Sequence, residues 1–70
     1  MPQMVPVQSS NLNLVGYEPA AGTLYITFKS GDTYAYYGVP VAVYSALMLA
    51  PSKGRYHSAH IKYAFPYCRV

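Results

Sequence analysis

Thr23 to Lys29 is the stretch that most constrains the fold, because its side chains alternate without a break. Leu24, Ile26 and Phe28 fall on one side, and Tyr25, Thr27 and Lys29 on the other. Strict period-two alternation marks a strand with one covered face and one open face. A sheet of this kind needs something apolar laid across it. The chain has 70 residues, so the cover must come from nearby sequence within one small domain.

The neighbouring segments supply a meander and its cover. Leu12 and Leu14 alternate around Asn13, with Val15 and Gly16 following, which predicts a first strand over Asn11 to Tyr17. Glu18 to Gly22 is a turn bounded by Pro19 and Gly22. Ser30-Gly31-Asp32 is a tight turn, and Thr33 to Gly38 is a third strand. Val39-Pro40 ends that strand and opens a helix over Val41 to Ala50. Val43, Leu47 and Ala50 form its stripe, flanked by Tyr44 and Met48. Pro51 stops it, and Ser52 caps a second, shorter helix over Lys53 to Lys62. The expected fold class is α+β: a small antiparallel β-meander of three to four strands, covered by one helix and followed by a short basic helix. Residues 1–8 read as an N-terminal arm or edge strand, residues 9–67 as the domain, and residues 68–70 as a C-terminal tail. Tyr63 to Val70 as a whole reads as a terminal strand or extended arm, broken by Pro66.

The turn at Gly31 sets which way two tyrosines face. A loop of Ser30 to Asp32 pairs Tyr34 with Phe28 and Tyr36 with Ile26, on the core side. A loop of Gly31-Asp32 alone places both on the opposite face, since a one-residue slip swaps faces. Packing favours the first register, because Leu24, Ile26 and Phe28 need apolar partners and the tyrosines are larger than Ala35. Tyr25 and Tyr37 would then sit outward side by side.

Charge is distributed unevenly. Up to residue 52, Lys29 stands against Glu18 and Asp32. From residue 53 onward Lys53, Arg55, Lys62 and Arg69 meet no acid, with His57 and His60 among them and Tyr56, Tyr63 and Tyr67 interleaved. A basic, aromatic segment of this kind suits a phosphate-bearing partner, RNA or a nucleotide. The net charge of +3 supports modest anion binding rather than a strong salt-driven grip.

Other classes fare worse. Cys68 is the only cysteine, which excludes an intrachain disulfide and fits a reducing cytoplasm. One cysteine and two histidines lack zinc-ligand spacing, and neither a metal nor a cofactor is expected. No apolar run approaches the ~18 residues of a membrane span, so no membrane role is expected. The N-terminus lacks the pattern of a signal peptide. Glu18 and Asp32 both fall in turns, and no catalytic group is expected. The five basic and two acidic residues are few for so small a domain, which favours a homo-oligomer that hides part of the surface.

The chain from Ser10 to Tyr67 resembles the KTSC domain. The resemblance rests on Ser9-Ser10, Val15-Gly16-Tyr17, the strand Leu24-Tyr25-Ile26-Thr27-Phe28 followed by Gly31, and Tyr34-Ala35-Tyr36. It continues through Val39-Pro40, Tyr44, Ala50, Ser52 with Gly54, Tyr56 and Ile61. That family is named for the C-terminus of some lysyl-tRNA synthetases and also occurs as stand-alone bacterial and phage proteins. The resemblance implies no established catalytic residues, and its synthetase context implies RNA binding.

The candidate ligand-binding residues follow from the basic segment. Ser52, Lys53, Gly54 and Arg55 would form a phosphate cradle at a helix start, where backbone N–H groups lie free. His57, His60 and Lys62 would continue a basic stripe along the same helix, against the plainer reading of a solvated polar face. Tyr25, Tyr37, Tyr56 and Tyr63 would stack on bases, while Tyr34, Tyr36 and Tyr44 suit the core. The function expected is a non-catalytic binding module for phosphate-bearing ligands. One alternative is a small oligomeric phage protein that sequesters host nucleotide immune signals, where the ligand could be a cyclic nucleotide. The other is a protein–protein interaction module that uses its tyrosine-rich surface.

Overall fold

The computed structural model describes residues 2–70. Five strands form one antiparallel sheet in chain order: β1 (Val5–Pro6), β2 (Leu12–Glu18), β3 (Thr23–Phe28), β4 (Thr33–Tyr36) and β5 (Tyr67–Arg69). Two helices, α1 (Val41–Leu49) and α2 (Lys53–His60), fall between β4 and β5 in sequence. No helix among the described residues is long and apolar enough to cross a membrane.

The α+β architecture matches the expectation, and the sheet is wider than expected. The N-terminal arm pairs with β2 through Val5 opposite Val15 and Pro6 opposite Leu14. The C-terminal residues pair with β4 through Tyr36 opposite Tyr67, Ala35 opposite Cys68 and Tyr34 opposite Arg69. Val5–Pro6 and Tyr67–Arg69 are therefore the edge strands of the sheet, which is the strand reading that the sequence offered for each of those segments.

Hydrophobic alternation fixes the faces. Tyr34 lies opposite Ile26 and Tyr36 opposite Leu24, so both point to the core side, as packing required. Their partners lie two residues from those expected, because the loop is Lys29 to Gly31. The Phe28 N–H donates to the Asp32 carbonyl at 2.9 Å and closes the hairpin there. A shift of two residues preserves the face. It also moves Tyr25 opposite Ala35, so Tyr25 and Tyr37 are not paired.

A bulge in β2 alters the expected alternation there. Leu12 pairs with Phe28 but Leu14 with Thr27, which leaves Asn13 as the extra residue. Leu12 and Val15 thereby share the core face, each fully buried, and Leu14 turns to the other side. The core is completed by Leu24, Ile26, Tyr36, Val39, Leu47 and Ile61.

Helix α1 lays Leu47 into this core with Val43, Tyr44 and Met48 packed alongside. It ends one residue before the expected Ala50, which is extended because Pro51 follows. Tyr17 stacks on Tyr44 at 4.8 Å, and its hydroxyl donates to the Val39 carbonyl at 2.6 Å. These contacts fasten α1 over one end of the sheet. Helix α2 begins at Ser52, whose hydroxyl accepts from the Arg55 N–H at 3.4 Å. Both the Ile61 and Lys62 N–H groups bond back to the His57 carbonyl, which closes the helix.

Candidate functional site

The inner face of the sheet extends past the cover of α2, and a cleft of about 490 Å³ opens there. Its aromatic wall comes from three adjacent strands. Phe28 meets Tyr34 edge to face at 5.8 Å, and Tyr67 packs against Tyr34 at 5.7 Å and Tyr36 at 5.6 Å. Lys29, Ser30 and Asp32 enter from the β3–β4 turn, Ser58 from α2, Lys62 from just beyond it, and Ser10 and Asn11 from the loop before β2. Ser9 shapes that loop, its hydroxyl accepting from the Leu12 N–H at 3.2 Å.

Tyr36 and His57 also border the cleft, buried and joined by a hydrogen bond of 2.8 Å between the tyrosine hydroxyl and Nε2. Burial pushes the Tyr36 hydroxyl up to about 12, and Tyr34 and Tyr67 act in the same direction. Burial lowers the His57 imidazole from its ordinary value, and the positive charge of Lys62 adds to this. Both groups are therefore neutral near pH 7.

The rim is positive. Asp32 and Arg69 approach at 3.7 Å, a solvent-exposed pair and the only ion pair among the described residues. Lys29 and Lys62 both line the cleft, and neither is held by a carboxylate among the described residues.

A second, shallower hollow of about 660 Å³ lies at the start of α2, lined by Ser52, Gly54, Arg55 and Ala59. It shares Ser10, Asn11 and Ser58 with the first cleft. The loop and helix approach closely here: a Cβ on Gly54 would collide with the Asn11 side-chain oxygen.

The expected site residues separate into groups. Lys62 and His57 line the cleft, and Ser52, Gly54 and Arg55 line the hollow. Lys53 lines neither; its Nζ donates to the Ala50 carbonyl at 3.2 Å and serves the end of α1. His57 and His60 do not form one solvated stripe. His57 is only 4% exposed and bonded to Tyr36, because a neutral imidazole supplies a buried partner for that hydroxyl. His60 is exposed and packs on half-buried Tyr56 at 4.6 Å. Tyr63 stands outside the cleft with Lys62 Nζ 5.4 Å from its ring centre. Tyr25 and Tyr37 lie on the opposite face of the sheet, where the Tyr37 hydroxyl meets Cys68 Sγ at 3.3 Å.

Sequence reasoning missed Ser10, Asn11, Lys29, Ser58 and Tyr67 as members of one site. Lys29 carried a usable signal, as the one cation outside the basic segment. Tyr67 stood out only as one of the tyrosines among the cations, and its pairing with Tyr36 is what brings it to the cleft.

Comparison with known proteins bears on the whole domain. The family model described as the KTSC domain matches residues 8–65. A protein of Tsukamurella paurometabola is 42% identical over 62 residues, covering 89% of this chain and 92% of its own. A lysine–tRNA ligase of Nostoc sp. is 42% identical over 60 residues, which cover 86% of this chain and 11% of the ligase. The crystal structure of a KTSC domain protein from Yersinia pestis superposes with a TM-score of 0.92 at 39% identity, covering 97% of this chain and 96% of that one.

Proposed function

The chain belongs to the KTSC domain family, and we propose that it is a non-catalytic binding module whose cleft takes a nucleotide unit, free or within RNA. The observation that carries this reading is the meeting, in one cleft of about 490 Å³, of the aromatic wall with Lys29 and Lys62. The volume suits a small ligand, since such sites run from about 300 to 1,000 Å³. A base can lie against Tyr67, which is 54% exposed, and stacking tolerates any base. The phosphate then meets the two ammonium groups, which bind it as point charges. The hydroxyls of Ser10 and Ser58 and the amide of Asn11 supply neutral hydrogen bonds to a sugar or base edge.

Two further facts support the reading. Tyr36 holds its proton to about 12 and His57 is bonded to it, so neither is poised as a general base. A relative that shares the domain is a lysine–tRNA ligase, an enzyme named for an RNA substrate. Binding of this kind would take place in the cytoplasm, where both RNA and nucleotides are available.

A second reading, self-association through α1, is favoured by one observation. The helix is apolar on nearly every side, yet Leu49 is 84% and Val41 59% exposed. A helix apolar all round is ordinarily buried. This face bears no charge, so a second copy can meet it without bringing like charges together.

Native mass spectrometry, before and after mixing with nucleoside monophosphates, cyclic dinucleotides and short RNAs, tests both readings. The expected result is a discrete added mass that is lost in a K29A/K62A variant. An unchanged spectrum across the panel would reject the nucleotide reading and leave a protein partner. The subunit count decides the question of self-association.

A further inference from the structure

The cleft and the hollow are neighbours, and three features join them. Both are bordered by Ser10, Asn11 and Ser58. Arg55 and Ser58 stand three residues apart on one face of α2, and Lys62 follows just beyond its end. The hollow has no carboxylate in its lining, and the one in the cleft, Asp32, is paired with Arg69 at 3.7 Å.

We infer that the cleft and the hollow form one track along α2 that takes a single-stranded RNA segment of two to three nucleotides, with a second phosphate at Arg55. This rests on the reading of the cleft as a nucleotide site and names the length and polarity of charge that it accepts. Arg55 and Lys62 are separated by about 10 Å, at a helical rise of 1.5 Å per residue. The closing bonds from Ile61 and Lys62 to the His57 carbonyl hold the Lys62 backbone against the last turn of α2. Neighbouring phosphates stand farther apart along the backbone than the axial rise of a stacked strand, about 3.4 Å. Two backbone steps therefore cover that distance, and phosphates two steps apart are the first and third of a 5′-phosphorylated trinucleotide. The middle of the track is neutral, with the Ser10 and Ser58 hydroxyls and the Asn11 amide. A sugar meets these as well as a phosphate meets the ends. A mononucleotide fills the cleft and leaves Arg55 unused.

Oligouridylates of one to four nucleotides with a 5′-phosphate, titrated calorimetrically into the wild-type chain and R55A, test this. Uridine stacks weakly on itself, so the series reports contacts with the protein. Affinity should rise about tenfold from one nucleotide to three, the effect of one charge-assisted contact, and level off at four. R55A should erase that rise and flatten the salt dependence of trinucleotide binding by about 0.7 in log–log slope. Equal affinity for one and three nucleotides, or a length dependence that survives R55A, overturns the track and leaves the nucleotide cleft standing. Absence of binding at every length overturns both. Arg55 is exposed, so the variant is expected to fold.

Discussion

The Tyr36 hydroxyl and the Nε2 of His57 lie 2.8 Å apart and tie the sheet to the second helix inside the core. Removing that hydroxyl leaves a buried ring nitrogen without a partner. Y36F is expected to destabilise the fold by about 1–3 kcal/mol. For a domain of this size that lowers Tm by at least about 4 °C. Thermal unfolding followed by far-UV circular dichroism measures it. A Tm within a degree of wild type would show that the bond contributes little.

The same pair gives stability a pH dependence. Unfolded, His57 titrates at its ordinary value of 6.5; folded, burial and Lys62 hold it lower. Between those values the unfolded chain binds more protons, so stability falls as pH drops below 6.5 and is fully present above it. Urea midpoints from pH 7.5 down to 5 should decrease in the wild type. The slope should be shallower in H57Q, measured relative to its own value at pH 7.5.

Leu47 and Leu49 are two residues apart on α1 and should behave oppositely. Leu47 is fully buried, and Leu49 is 84% exposed. L47A should cost about 2–5 kcal/mol, enough to unfold much of so small a domain. L49A at low protein concentration should fall within about 0.5 kcal/mol of wild type. Denaturant titration of both variants checks the contrast. A large loss in L49A that grows with concentration would instead support self-association through this face.

Gly54 and Asn11 should be coupled. Alanine in a helix is favoured over glycine by roughly 0.5–1 kcal/mol. Here the new Cβ meets the Asn11 side chain, which Ser9 holds in place through a 3.2 Å bond. G54A is therefore expected to destabilise the wild type and to stabilise N11A. A four-variant urea cycle should return a coupling of about 1 kcal/mol, typical of residues in contact. Additive values would mean that Asn11 moves aside freely.

Gly16 allows the N-terminal residues to cross the outer face of the sheet. A Cβ there would stand 3.1 Å from the Gln3 carbonyl oxygen and 3.2 Å from Pro2 Cγ. G16A should lift this segment and loosen β1. Hydrogen exchange at the Val7 amide, which donates to the Asn13 carbonyl at 3.1 Å, should accelerate more than at the amides of β3.

The parts legible in the sequence are those set by local pattern. The alternation of Thr23 to Phe28, the Ser52 cap and the stripe on α1 each depend on neighbours in the chain. The core-facing side of Tyr34 and Tyr36 was legible too, because face follows parity. Their partners were not, because the length of the Lys29 loop is set by the Phe28–Asp32 bond. The Asn13 bulge has no signature in a run such as Leu-Asn-Leu-Val. His57 reads as one more polar residue in a basic segment, and its burial depends on Tyr36, 21 positions earlier. The cleft is assembled from segments between Ser10 and Tyr67, so sequence could supply its lysines and tyrosines but not their juxtaposition.

The last fully buried core side chain is Ile61, while Tyr67, a wall of the cleft, belongs to the final strand. During synthesis the β2–β3–β4 hairpins, whose contacts are local, are available to pair well before that strand emerges. A nascent chain halted at Pro66 would carry every residue of the core and still lack one side of the cleft. The cleft is therefore completed only after the core residues have been made, and its last wall is laid on a sheet already in place.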